Sequence, residues 1–334
     1  PAPVSGSTDA LPNSVLTWRA GREADQHTIY MSTDMNAVAE GLAPSVTSNT
    51  NSLDLTALSL ALGETYYWRV DEVNSAEATS VWAGPVWSLS TVTALTVDDF
   101  ESYGNLSPDR PFQTWLDGFG YSADEVFPVA YPGNGTGAGI GHDIWSLSSP
   151  HYDDTIMETS STAPGSNQSM PFYYSNTGAT ASQTERSFAP AQDWTVGGAK
   201  TLSIAFSGQA GNTGTLYVKI NDTKVAYGGD AGDIATALWR PWIIDLATVG
   251  ADLSSVTTLT IGLEGKGSGV VYIDDIRLYR KTPEYITPVE PDNANLVAHY
   301  ALDGDATDSS GNLSLIHISE PTRQLASSRM PSSA

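Results

Sequence analysis

An all-β protein built as two tandem β-sandwiches is the fold class this sequence predicts, and three observations predict it. Apolar residues alternate with a period of two in short runs, as half-buried strands require; residues 270–279 (VVYIDDIRLY) are the clearest case. Clusters of Gly, Asn, Asp and Pro separate the runs, which is turn chemistry. In the central part of the chain no window sustains a helical spacing of apolar residues. At 334 residues the chain has room for two or three domains.

Composition narrows the class. Fifteen Lys and Arg stand against 38 Asp and Glu, a net charge of −23. That balance excludes nucleic acid as a partner, because phosphate contacts need clustered basic residues. Charged residues are only 16% of the chain, alongside 30 glycines. This suits an extracellular all-β protein, secreted or held at the cell surface, better than a cytosolic helical enzyme. There is no cysteine, so disulfides and thiol chemistry are both excluded. No apolar run approaches the ~20 residues of a membrane span, and membrane insertion is not expected. The chain opens at Pro1 without a methionine or leader and reads as an internal fragment of a longer chain of monomeric modules.

Residues 1–93 read as the first sandwich, with strand candidates at 14–18, 27–32, 66–73 and 86–89. The run Leu62-Gly63-Glu64-Thr65-Tyr66, followed by Trp68-Arg69-Val70, resembles the tyrosine-corner region of fibronectin type III-like domains. Trp18 stands where their early core tryptophan stands. The resemblance implies a spacer or adhesion unit whose aromatics are core.

Residues 94–281 read as the second sandwich. Strand candidates lie at 169–174, 201–207, 215–220, 242–246, 259–263 and 270–279, with Leu202, Ile204, Phe206, Leu216, Val218, Ile220, Trp242, Ile244, Leu259 and Ile261 filling the space between two sheets. Acidic strands bracket this unit: residues 97–103 (VDDFESY) open it and 270–279 close it, and the two are expected to lie side by side. Asp98-Asp99-Phe100-Glu101 at the start and Ile273-Asp274-Asp275-Ile276 at the end, with Asp193-Trp194 and Trp242 between them, resemble jelly-roll, galactose-binding-like carbohydrate-binding modules, family 11 among them. The pairing of the two sandwiches also resembles large secreted proteins of marine and planctomycete-type bacteria. A linker is expected at 282–293, and residues 294–312 resemble the truncated start of a laminin-G or concanavalin-like domain. Residues 313–334 resemble translated sequencing adapter, a disordered tail without function.

Two sites are expected. Asp99 and Glu101 share a strand face, and Asp274 and Asp275 would adjoin them if the bracketing strands are neighbours. Pooled carboxylates repel without a cation, and a hard ion takes several oxygens, so the expected cofactor is a structural calcium ion. The resemblance places it on Glu101 and Asp274 first, then on Asp99 and Asp275. A sugar-binding face needs exposed aromatic rings beside polar side chains. Its candidates are Trp115, Tyr131, Trp145, Tyr173, Arg186, Tyr217, Lys219 and Trp239. The alternation of residues 215–220 is expected to turn Tyr217 and Lys219 outward.

Three other signals carry less. Residues 133–138 (GNGTGA) fit a relaxed dinucleotide pattern, but no helix can start there. His142, His151, Asp153 and Asp154 match no ligand spacing and read as a solvated polar loop. Asp153, Asp154 and Glu158 do not make a glycosidase pair. The function expected is therefore non-catalytic binding of a polysaccharide, with a structural or adhesive spacer as the alternative.

Overall fold

The computed structural model describes residues 1–284. Most of the expected linker, the laminin-G-like start and the tail fall in residues 285–334 and lie outside the described residues. One compact unit spans Pro1–Pro283 and holds two hydrophobic cores.

The first core is enclosed by β1 (Ser7–Ala10), β2 (Val15–Thr17), β3 (Gln26–Ser32), β4 (Ser45–Ser48), β5 (Ser52–Asp54), β6 (Thr65–Val73), β7 (Val81–Trp82) and β8 (Trp87–Thr91). One sheet runs β1-β8-β6-β3-β4, with β7 on β6, and β2 pairs with β5. Strand β3 alternates strictly, with His27, Ile29 and Met31 buried, because a period of two sends alternate side chains to one face. They pack with Leu16, Trp18, Leu55, Trp68 and Leu89. The hydroxyl of Tyr66 accepts a hydrogen bond from the backbone N–H of Ala61 at 2.9 Å. That is the contact a tyrosine corner makes.

The second core lies between two further sheets. Its strands are β9 (Ala94–Asp98), β10 (Trp115–Leu116), β11 (Ala138–Ile140), β12 (Met170–Ser175), β13 (Ala181–Gln192), β14 (Thr201–Ser207), β15 (Thr215–Ile220), β16 (Thr223–Ala226), β17 (Arg240–Asp245), β18 (Val256–Glu264) and β19 (Ser268–Tyr279). One sheet is ordered β10-β13-β18-β15-β16, the other β11-β12-β19-β14-β17 with β9 also on β19. All ten expected core residues are at most 5% exposed. The long strand β13 has no apolar alternation, because its inward positions include Ser182 and Thr184, whose hydroxyls donate to Asn176 Oδ1 and to the Leu116 carbonyl. Satisfied hydroxyls can be buried, and a hydrophobicity pattern does not register them.

The first and last strands of this sandwich meet. β9 runs antiparallel to β19, with Asp98 opposite Ile276 and Leu95 opposite Leu278. β12 occupies the same edge of β19 further along, from Met170 opposite Ile273 to Ser175 opposite Ser268. The ladder breaks between them at Asp274 and Asp275, where Asp275 takes φ of 45°. The break lets β19 bury Val271 and Ile273 before it and Ile276 and Leu278 after it.

Asp98 ties the two sheets together. One carboxylate oxygen accepts from Trp115 Nε1 and from the Tyr103 hydroxyl, both at 2.8 Å, and is ion-paired with Arg186 of β13. The other accepts from the Phe100 N–H at 3.0 Å. Trp115 and Arg186 both belong to the opposite sheet. The expectation that Trp115 contacts sugar is therefore corrected, because it is fully buried; Arg186 is ion-paired with Asp98. Replacing Asp98 by alanine would strand the guanidinium and the indole N–H. Asp98→Ala should lower unfolding stability by about 3–5 kcal/mol, measured by urea denaturation, whereas a loss below about 1 kcal/mol would contradict this role.

Candidate functional site

Strand β10 leads directly into the segment that walls a cavity of about 600 Å³, within the usual range for small-ligand pockets. Asp117 fixes the first wall. Its carboxylate accepts from the N–H groups of Phe119, Gly120 and Ile140 at 3.0, 2.8 and 2.8 Å, which pins the turn to β11. Burial raises its pKa, against those hydrogen bonds. The turn presents Phe119, which is 76% exposed. Its ring lies where a Cβ on Gly139 would stand only 3.1 Å from it.

Trp145 forms the second wall and is 53% exposed. Asp143 Oδ1 accepts from the N–H groups of Trp145 and Ser146, both at 3.1 Å. The Arg110 guanidinium sits 5.7 Å from the indole centroid, and Phe112 meets the indole edge-on at 6.0 Å. Tyr173 enters from the outward face of β12, beside Gly139 of β11. Its hydroxyl is 2.7 Å from His142 Nδ1. His142 is buried, stacked on His151 with ring centroids 3.6 Å apart and planes 9° apart. Its Nε2 faces Glu158 Oε2 at 3.3 Å. If Tyr173 donates to Nδ1, the imidazole is the neutral Nε2–H tautomer. Burial, then the charge of His151, push the His142 pKa down, and burial pushes the Tyr173 hydroxyl up to about 12.

The expected binding residues therefore separate. Trp145 and Tyr173 come together at the cavity. Tyr131 pairs through its backbone with Tyr121 and does not line it. Tyr217 and Lys219 face outward as expected, but on the opposite sheet. Tyr217 is only 2% exposed, because its ring covers Gly262, its hydroxyl donates to Gln183 and the Lys224 ammonium sits 4.2 Å above it. Lys219 donates to the same Gln183 oxygen. Trp239 is half-buried away from the cavity, its Nε1 buried without a hydrogen-bond partner. In the loop of His142 and His151, Asp153 and Asp154 are exposed, while His142 is buried and its stack with His151 lines the cavity. Phe119 carried a sequence signal, an aromatic ring between two glycines in a polar stretch; the histidine stack carried none, because the two residues meet only through the fold.

The four acidic residues of the seam also separate. Asp275 is ion-paired with Arg277, and Asp99 adds to the same guanidinium's field, so this pair has its cation already. Glu101 and Asp274 do not. Ser166 Oγ lies 2.5 Å from Glu101 Oε1 and 2.9 Å from the Gln168 carbonyl oxygen, and it also bonds the Asp274 carboxylate. One hydroxyl has one proton to give. Glu101 has other donors, the Asn167 N–H at 2.8 Å, the Asn167 side-chain amide at 3.0 Å and the Gln168 N–H at 3.4 Å, so Asp274 is the carboxylate left short of donors. Asp274 is fully buried, accepts only backbone N–H bonds from Ala163 and Asp275 besides that hydroxyl, and burial drives its pKa up to about 6. Among the described residues no three His, Asp or Glu side chains are arranged to hold a metal ion, and Asp99 and Asp275 stand apart from Glu101 and Asp274.

No known protein family matches the sequence, and no curated protein matches it. Similar solved structures are β-sandwich carbohydrate-binding modules and parts of larger enzymes. A module of promiscuous specificity from the β-sandwich superfamily is 12% identical over 82% of this chain and 94% of its own, with a TM-score of 0.29. The family 11 module of a cellulosomal cellulase from Clostridium thermocellum is 17% identical over 57% of this chain and 96% of its own, with a TM-score of 0.33. An exo-beta-agarase is 13% identical over 39% of this chain but only 22% of its own, with a TM-score of 0.29. At these values the likenesses assign no ligand and no activity to this chain.

The first wall depends on Gly120, whose φ is +70° and whose Cβ would stand 2.0 Å from the Tyr131 carbonyl oxygen. Gly120→Ala should cost more than about 1 kcal/mol in chemical denaturation, while Gly104→Ala, which meets nothing within 4 Å, should stay within about 0.5 kcal/mol. Equal effects of the two would contradict the fitted turn.

Proposed function

We propose that the second sandwich binds a polysaccharide non-covalently in the cavity walled by Phe119, Trp145 and Tyr173, and that Glu101 and Asp274 help hold a structural calcium ion. The observation that carries the first part is the exposure of two large rings at the mouth of a preformed cavity. Seven of the eight exposed large hydrophobic residues described in this sandwich, all but Leu238, fall between Leu106 and Tyr152. The same stretch supplies every cavity-lining residue except Tyr173. Of these exposed residues, Phe119 and Trp145 line the cavity itself, and exposed apolar rings at a concave site mark a binding surface. A pyranose presents C–H groups to such rings, and its hydroxyls can reach Asp143, Ser148 and Ser149. No bond need break: both oxygens of Asp117 are engaged by backbone N–H groups, so this carboxylate positions a turn.

Calcium is supported by the burial of Asp274 without a positively charged partner. A hard cation between Glu101, Asp274, the hydroxyl and nearby carbonyl oxygens would supply the positive charge that the buried carboxylate lacks. Such an ion would anchor the turn around Ser166, which the seam of β9 and β19 grips. Its availability outside cells fits a secreted or cell-surface protein. The first sandwich, fibronectin-like in its Tyr66 corner, acts as a fixed spacer: the Leu62 N–H donates to the Gly197 carbonyl at 2.9 Å, and Arg280 is ion-paired with Glu64 at 2.5 Å.

Two outcomes are expected. On affinity gels across a panel of plant and algal glycans, the protein should be retained on at least one, and Trp145→Ala should weaken that retention at least about tenfold, the equivalent of 1.4 kcal/mol. Retention on none, or no effect of the substitution, would contradict sugar binding in this cavity. Calcium should raise the melting temperature of the EDTA-treated protein, with about 2.7 kcal/mol of stabilisation at a hundredfold excess over Kd. Asp274→Asn should abolish that response; a calcium response that survives it would place the ion elsewhere.

A further inference from the structure

The face-to-face stack of His142 and His151 is a wall of the cavity that can carry charge. We infer that it is an acid-sensitive latch: protonation of both rings separates them, releases the turn that bears Trp145 and empties the binding site. This rests on the reading of the cavity as a sugar site and adds its regulation.

The geometry leaves the pair little freedom. Two imidazole planes 9° apart with centroids 3.6 Å apart are in van der Waals contact while neutral. With a proton on each ring, two like charges would stand at that same distance, with too little room for water between them. His142 cannot retreat. Its N–H donates to the Ile156 carbonyl at 2.8 Å, its ring is buried against Tyr173 and Glu158, and its Nδ1 takes the Tyr173 hydroxyl. A new proton on Nδ1 also removes that acceptor, so Tyr173 must turn its hydroxyl around. His151 is the ring that can leave. It lies in an irregular stretch between Ser149 and Asp154, joined by the Asp153 N–H bond to the Ile144 carbonyl to the turn that presents Trp145.

The charged and titratable groups facing the stack are Glu158 from the segment before β12, Tyr173 from β12, and Asp143 and Asp154 from the stretch itself. Glu158 and Asp154 favour a first proton on His142, whereas burial and the neighbouring imidazole oppose it. These carboxylates can balance one positive ring but do not lie between the two planes, so the second proton meets the first without screening. Histidine is the side chain that changes charge between about pH 5 and 8, and because burial holds His142 below its ordinary value the release falls at the acidic end of that range.

The test uses the protein labelled with 5-fluorotryptophan, the Trp145 resonance being assigned by its loss in Trp145→Phe. On titration between about pH 8 and 5, the ¹⁹F signal of Trp145 should move from one position to another. His151→Phe keeps a stacked ring without the charge and should hold the signal at its neutral-pH position throughout. His151→Gln loses the stack and should show the released position at every pH. A Trp145 signal indifferent to pH in the unsubstituted protein, or one that still moves in His151→Phe, would overturn the latch. Because this readout needs no glycan, it separates failure of the latch from failure of sugar binding. On any glycan retained through Trp145, at least about tenfold weaker binding at the acidic end, abolished in His151→Phe, completes the expected result.

Discussion

A carboxylate buried between two β-sheets must find a cation or strong donors, and Asp98 finds both across the second sandwich. From β9 it takes the indole N–H of Trp115 and the guanidinium of Arg186, which come from the facing sheet. The contact locks the first strand of the domain to the layer it does not belong to. Because Trp115 begins the short strand that runs into Asp117 and Phe119, the same contact sets where the cavity's first wall starts. Architecture and candidate site therefore share one anchor.

The other side of the seam repeats the problem with a different solution. Asp274 is buried where β12 stops and β9 begins along β19, and the protein supplies it with N–H bonds and part of a hydroxyl but no positive side chain. Asp275, one residue on and turned outward, has Arg277. Neighbouring aspartates in one motif thus meet opposite fates: one is neutralised within the chain, the other is left to an ion or a proton.

Much of the fold could be read from residue order, because a period of two is enforced wherever one strand face is apolar. Strands β14 and β15 begin and end where their alternation does, but the opening strand expected at 97–103 runs instead over Ala94–Asp98, and Asp99 and Glu101 lie in the turn after it, where Phe100 takes φ of 58°. β13 escaped because Ser182 and Thr184 occupy buried positions on it. The candidate site was legible only in fragments. Trp145 and Tyr173 could be named as aromatic residues outside the regular core, but Trp115 looks no different from them until Asp98 is seen to claim its N–H. Tyr217 does point outward, yet Gly262 beneath it and Lys224 above it close the ring off. The stacked histidines are nine residues apart in a stretch without periodicity, and only the folded turn brings their planes together.

The unequal treatment of the two seam aspartates is the physical claim that links fold, ion and cavity, and it can be observed directly. A crystal structure of the protein grown in calcium should show an ion coordinated at about 2.3–2.6 Å by oxygens of both Glu101 and Asp274. A structure under those conditions with only water at this point, and Asp274 still held by the Ala163 and Asp275 N–H groups and the Ser166 hydroxyl, would contradict it.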